Sequence, residues 1–157
     1  MADRTHPRSV AMADTYPSLK LSHAAALKAL AAGIAKATAM HQPQCITVVD
    51  EGGNLLAAVR MDGAKFVSIE SSHNKAVSAA SARAPSGPRG EPEVELKLAI
   101  TTAGRNLTLK GGVPILINGI CVGAVGVGSG TGEQDREVAL AAVAAIDGAK
   151  TDFVFKD

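Results

Sequence analysis

The spacing of hydrophobic residues along this chain switches several times between a helical and a strand period, and the switches mark out its elements. Over residues 22–41 the period is helical, with Leu27, Leu30, Ala31, Ile34 and Thr38 on one stripe. Ser22 can cap the start, and Pro43 prevents continuation beyond His41. Two apolar runs, 45–49 and 55–59, flank Asp50, Gly52, Gly53 and Asn54. Gly and Asn accept the positive φ of a compact turn, so these runs are predicted to pair as a hairpin. The second strand ends in Arg60 and Asp62, which alternation places on one face of the sheet. A second helix is predicted over 64–83. Its apolar stripe is Phe66, Ile69, His73, Ala76, Val77 and Ala80, and a second face carries Ser68, Ser71, Ser72, Lys75, Ser78 and Ala79. Such a small-residue face lets another helix, a neighbouring subunit or a flat ligand approach the backbone.

Residues 84–93 are too rich in Pro and Gly for regular structure, and a short helix is predicted over 94–102. Three further apolar runs follow, 107–109, 113–117 and 120–127, separated by Gly111-Gly112 and by Asn118-Gly119, the strongest hairpin signal in the chain. A glycine-rich loop, 128–132, leads into a last helix over 133–147. The order of helix, two strands, two helices, three strands and helix predicts an α+β fold, a five-stranded, mainly antiparallel sheet flanked by helices. Residues 1–17, with Arg4, His6, Pro7, Arg8 and Pro17, are expected to form a flexible arm, and 18–150 a single domain. Residues 151–157, with Phe153-Val154-Phe155, are expected to form a tail that covers a partner.

A chain of 157 residues with 46% hydrophobic content can bury one sizeable core. With aromatics at 3% and no Trp, that core must be built from Ala, Val, Leu and Ile, which favours close helix packing over large enclosed pockets. A net charge of +1 excludes the concentrated basic surface that nucleic acid or an acidic membrane would need. No apolar run approaches the roughly 20 residues that span a bilayer, and 1–17 lack a secretory signal, so a cytoplasmic location is expected. Cys45 and Cys121, both in predicted strands, read as small buried hydrophobes rather than a disulfide or metal pair.

Three sets of residues carry possible chemistry. His23 and His73 can ligate haem iron or another transition metal as neutral imidazoles, or serve as helix-end and core histidines. Gly128, Ser129, Gly130 and Thr131, ahead of the last helix, can offer backbone N–H groups and hydroxyls to an anion. They can equally turn the chain while Thr131 or Asp135 caps the helix. In the third set Arg60 can clamp a carboxylate and Lys75 can act as base or electrophile, with Asp62 beside them. That set suits proton transfer on a small carboxylate metabolite; its alternative is an Arg60–Asp62 ion pair with Lys75 bracing a helix or an interface.

The ordered set Val49-Asp50 with Gly52-Gly53, Arg60-Met61-Asp62-Gly63-Ala64, Lys75-Ala76, Gly111-Gly112-Val113-Pro114-Ile115, Val122-Gly123-Ala124-Val125-Gly126 and Gln134-Asp135 resembles the GlcG/HbpS family. That family comprises haem-binding, haem-degrading-type proteins and is similar to the C-terminal domain of PduO-type corrinoid adenosyltransferases. The resemblance covers about residues 19–147. It implies a profilin-like fold with a five-stranded antiparallel sheet between helical layers, and homo-oligomers from dimer to octamer. It further implies haem or a related tetrapyrrole as ligand, with an axial ligand near the start of the first helix, where His23 stands as the metal-ligating candidate. The alternative is a cofactor-free isomerase, tautomerase or lyase acting on a small carboxylate through Arg60, Asp62 and Lys75; a structural accessory subunit is a third reading.

Overall fold

A computed structural model of the chain describes residues 14–155. His6, with Arg4, Pro7 and Arg8, lies outside the described residues. The elements are α1 (His23–Ala39), β1 (Cys45–Asp50), β2 (Leu55–Arg60), α2 (Ser68–Ala82), α3 (Pro92–Thr101), β3 (Gly112–Ile117), β4 (Ile120–Gly128) and α4 (Gly132–Ala144). The strands form one antiparallel sheet in the order β2-β1-β4-β3. Ile46, Val48, Val113, Ile115, Val125 and Val127 pack with α1 and α4. On the opposite face Val49 and Ala124 pack with Ala76, Ala79 and Ala80 of α2. The sheet therefore lies between two helical layers.

The hairpins form where residues tolerant of positive φ stand. Asn118 and Gly119 turn at φ 51 and 79 between β3 and β4, and Gly53 turns at φ 80 between β1 and β2. The Asp50 carboxylate organises the second of these turns, accepting from Gly52 N and Asn54 N at 2.9 Å each and from the Asn54 amide. Burial works against the charged form, but the donors from Asn54 and Gly52 outweigh it and hold the Asp50 carboxyl below its ordinary value. A lowered folded pKa means stability present above the ordinary carboxylate range and lost as pH falls through the folded value. Asp50→Ala is expected to cost about 1 kcal/mol at pH 7. The difference from wild type should shrink below about pH 4 in urea melts run across that range; a constant difference down to pH 2 would refute the role.

The faces that α1 and α2 bury are the small ones. In α1 they are Ala26, Ala29, Gly33 and Ala37, whereas Leu27, Ala31 and Thr38 of the predicted stripe are exposed and Leu30 and Ile34 half-buried. A side chain at Gly33 would meet Ile46 Cδ1 at 3.0 Å and Ala142 Cβ at 3.4 Å, so the leucines are displaced to the rim by the close approach of α4 and the sheet. In α2 the sheet takes Ser68, Ser72, Lys75, Ala76, Ser78, Ala79 and Ala80, and leaves Phe66, just before the helix, 76% exposed. The helix rests on strand glycines. A Cβ at Gly126 would lie 1.9 Å from Ser72 O, and one at Gly112 would lie 2.2 Å from Lys75 O. What approaches the small-residue face is thus the chain's own sheet, which is none of the helix, subunit or ligand expected there.

Segment 107–109, expected as a fifth strand, is not one; among the described residues the sheet has four strands. Its backbone partners are side-chain hydroxyls. Ser78 Oγ donates to Arg105 O at 2.8 Å and accepts from Leu107 N at 2.6 Å, while Ser86 Oγ donates to Leu109 O and accepts from Gly112 N. With these groups satisfied by α2 and the 84–91 loop, no ladder is needed. Helix α3 begins with Pro92 at its first position and buries no residue. Leu96 and Ile100 stand 62% and 72% exposed. In the tail, Phe153 and Phe155 are half-buried against the chain's own core, and Arg136 stacks 4.1 Å from the Phe155 ring centroid. The chain's own core covers part of each phenylalanine, while Val154 between them stands 90% exposed.

Candidate functional site

One end of the sheet collects most of the polar residues singled out above. There Arg60 ends β2, Cys45 opens β1 and Gly128 ends β4, and the register sets Cys45 opposite both. Lys75 approaches this end from α2 and is fully committed. Its Nζ donates to Val127 O at 2.9 Å and to Asp135 Oδ2 at 2.7 Å, with the two side chains only 5% and 3% exposed. The other carboxylate oxygen of Asp135 accepts from Gly130 N at 2.9 Å, and Gln44 Oε1 faces the same N–H at 3.0 Å.

The glycine loop is therefore turned inward. Thr131 Oγ1 accepts from Gln134 N, and the Gln134 side chain accepts from Thr131 N, a reciprocal cap on α4. Ser129, at φ 100, accepts from Lys65 N at 2.9 Å. Gly128 leaves room for α2, since a Cβ there would lie 2.8 Å from Ser71 Oγ. The anion that the loop's free donor at Gly130 receives is Asp135 itself.

Arg60 and Asp62 are exposed, and among the described residues they form no ion pair with each other or with Lys75. Arg60 stands two strand spacings, about 10 Å, from Gly128, on the outer strand. The proton-transfer constellation is thus not assembled: its lysine is neutralised by a carboxylate sixty positions away in sequence, and its arginine faces solvent. The thiols of Cys45 and Cys121 are free. Burial pushes both above their ordinary value, which keeps them protonated and unreactive.

The histidines lie on outward faces. His23 is the first residue of α1, exposed, one turn before the exposed Leu27, and Ser22 fixes that turn by accepting from Ala25 N at 3.1 Å. His73 is half-buried on the outer side of α2, in a stripe with the exposed Ile69 and the half-buried Val77. His41, exposed at φ 53, follows the end of α1. Among the described residues no three His, Cys, Asp or Glu side chains converge as a metal site.

A cleft of about 800 Å³ lies between the β1–β2 turn, the outer side of α2 and the segment after α3, with Arg89 and Arg105 on its walls. Sequence reasoning passed over both arginines because they stand in a Pro/Gly-rich loop and a short connection, where no periodicity marks a face. Their glycine and hydroxyl neighbours, Gly90, Thr101, Thr102 and Gly104, were the only signal.

With this geometry in hand, the family model described as haem degrading protein HbpS-like matches residues 21–144. The chain belongs to the HbpS-like family. Among relatives, it is 40% identical over 124 residues to a 15.0 kDa protein of the dhaT-dhaS intergenic region of Citrobacter freundii, covering 76% of this chain and 87% of that one. It is 38% identical over 107 residues to protein GlcG of Escherichia coli, covering 68% and 80%. Among solved structures, Klebsiella pneumoniae protein ORFY superposes with a TM-score of 0.79 at 32% identity, covering 88% of this chain and 99% of that chain. The complex of PduOC with haem superposes with a TM-score of 0.73 at 25% identity, covering 85% and 99%. The HbpS-like region contains His23, His41 and His73, the Lys75–Asp135 pair and both cleft arginines, and excludes the tail.

Proposed function

We propose that this HbpS-like protein binds haem or a related tetrapyrrole, with His23 as an axial ligand. The observation that carries the reading is an accessible imidazole in the first, capped turn of α1, flanked by the exposed apolar side chains of Leu19 and Leu27. An iron that arrives with four ring nitrogens asks the protein for one or two axial donors and an apolar surface, rather than a cluster of three or more ligands. The haem complex of a structural neighbour over nearly the whole domain supports the same reading. His73, with Ile69 and Val77 beside it, is the second candidate. A haem of this kind would supply its own redox and ligand-binding chemistry, while the chain would hold and orient it.

The test is a hemin titration followed in the visible spectrum. Wild type is expected to give a saturable Soret shift near one equivalent. His23→Ala should move or abolish that band with circular dichroism unchanged, and His73→Ala should retain it. Loss of the band in His73→Ala alone would transfer the site to α2, and a wild-type spectrum that never departs from free hemin would reject the proposal. Arg60 and Lys75 are not expected to contribute.

A further inference from the structure

We propose that the cleft between the β1–β2 turn, α2 and the segment after α3 is a binding site for a small organic oxyanion, held by Arg89 and Arg105. Its volume of about 800 Å³ lies within the range of small-molecule sites and far exceeds that of a single inorganic ion. Arg105 is exposed, and its side chain makes no hydrogen bond or ion pair among the described residues. Arg89, on the same lining, donates from Nη2 to Pro85 O at 3.0 Å, and the other donors of its fork make no hydrogen bond among the described residues. Two guanidinium forks facing one volume match the paired oxygens of carboxylates or phosphates.

The rest of the lining fits the same ligand. The side chains of Ser81 and Asn106 make no hydrogen bond among the described residues and can meet hydroxyl or carbonyl oxygens, and Val77 provides one apolar wall. Three features could repel an anion, and each is offset in part: Glu51, the carbonyls at the end of α3, and Glu95, which already accepts from Arg89 N and Gly90 N. Glu51 on the lining is paired with Lys20 through Oε1, while its Oε2 is buried without a hydrogen-bond partner among the described residues. Of the carbonyls at the end of α3, those of Ala99, Ile100 and Thr102 are capped, Gly104 N donating to Ala99 O at 2.7 Å, Ala103 N to Ile100 O and Arg105 N to Thr102 O, so these three do not present bare acceptors to the cleft. Burial also pushes Arg89 below its ordinary value, against the opposing pull of Glu95, and a bound anion would relieve that cost.

The site is independent of any haem. Calorimetric titrations with citrate and with glucose 6-phosphate at low ionic strength test it, the two probes separating a carboxylate from a phosphate ligand. At least one is expected to bind with a Kd below 1 mM, roughly the upper end of ordinary metabolite affinities, and Arg105→Ala should weaken it tenfold or more. Arg60→Ala, which removes an equally exposed arginine at the far corner of the sheet, should leave it unchanged. Arg105→Ala should keep the wild-type melting temperature without ligand and the wild-type response to hemin. Failure of both probes to bind, or equal loss in the Arg60 and Arg105 variants, would overturn the proposal.

Discussion

Gly126→Ala is expected to destabilise the fold by about 3 kcal/mol or more, the upper range for forcing one extra methyl group into a packed interior. The new Cβ would meet Ser72 O at 1.9 Å, Ala76 N at 2.5 Å and Ala76 Cβ at 3.0 Å. Two of those atoms are helix backbone, so no rotamer change relieves the clash, and α2 must lift from the sheet. Lifting it would stretch the buried Thr47–Ser72 hydroxyl contact of 2.9 Å and the Lys75–Asp135 pair. Gly90→Ala is the control: nothing lies within 4 Å of its Cβ position, and the change should stay within about 0.5 kcal/mol. Urea denaturation of the three proteins decides the matter, and a wild-type midpoint for Gly126→Ala would show that α2 does not rest on β4 as described.

Lys75→Met should cost about 3–5 kcal/mol, because it leaves the Asp135 carboxylate buried without its cation and removes the donor to Val127 O. For a chain of this size that corresponds to a fall of roughly 10 °C in Tm. Asp135→Asn should be costly for the converse reason, as the ammonium loses its counter-charge. The double variant Lys75→Met with Asp135→Asn strands no charge, and its amide oxygen can still accept from Gly130 N. It should therefore lose less than the sum of the singles by about 1–3 kcal/mol. Strict additivity in the cycle, or a loss under about 1 kcal/mol for Lys75→Met, would contradict a buried, mutually dependent pair.

What was legible in the sequence was local. Ser22 and Thr131 cap α1 and α4 through bonds three residues long, and Asn118-Gly119 makes its turn through its own dihedral angles. Such signals need no partner elsewhere in the chain. The face that α2 buries could not be read in the same way, because its apolar stripe and its serine and alanine face are both plausible. Gly112, Gly126 and Gly128, which settle the choice by admitting helix backbone, follow in sequence and acquire that meaning only across the packed layers. Leu107 to Leu109 looked like a strand because Ser78 and Ser86, whose hydroxyls satisfy its backbone, are remote along the chain. For the site, adjacency in sequence suggested Arg60 with Asp62, whereas the partnership that forms joins Lys75 to Asp135. The histidines stand on the helices expected for them, but the stripe around His73 is split: Ala76 and Ala80 are buried against the sheet, whereas Ile69 is exposed and His73 and Val77 are half-buried.

The position of Lys75 has a consequence for how the molecule opens. Its side chain leaves α2 on one face of the sheet and ends on the first turn of α4, whose apolar residues pack on the other. A fluctuation that detached α2 would expose an ammonium and at the same moment strand a carboxylate at the foot of α4, so loosening either layer penalises the other. The sheet is then no insulating wall between two half-proteins: the valine-rich core and the alanine-rich core are coupled into one cooperative unit, with α3, which buries no residue, free to open outside it.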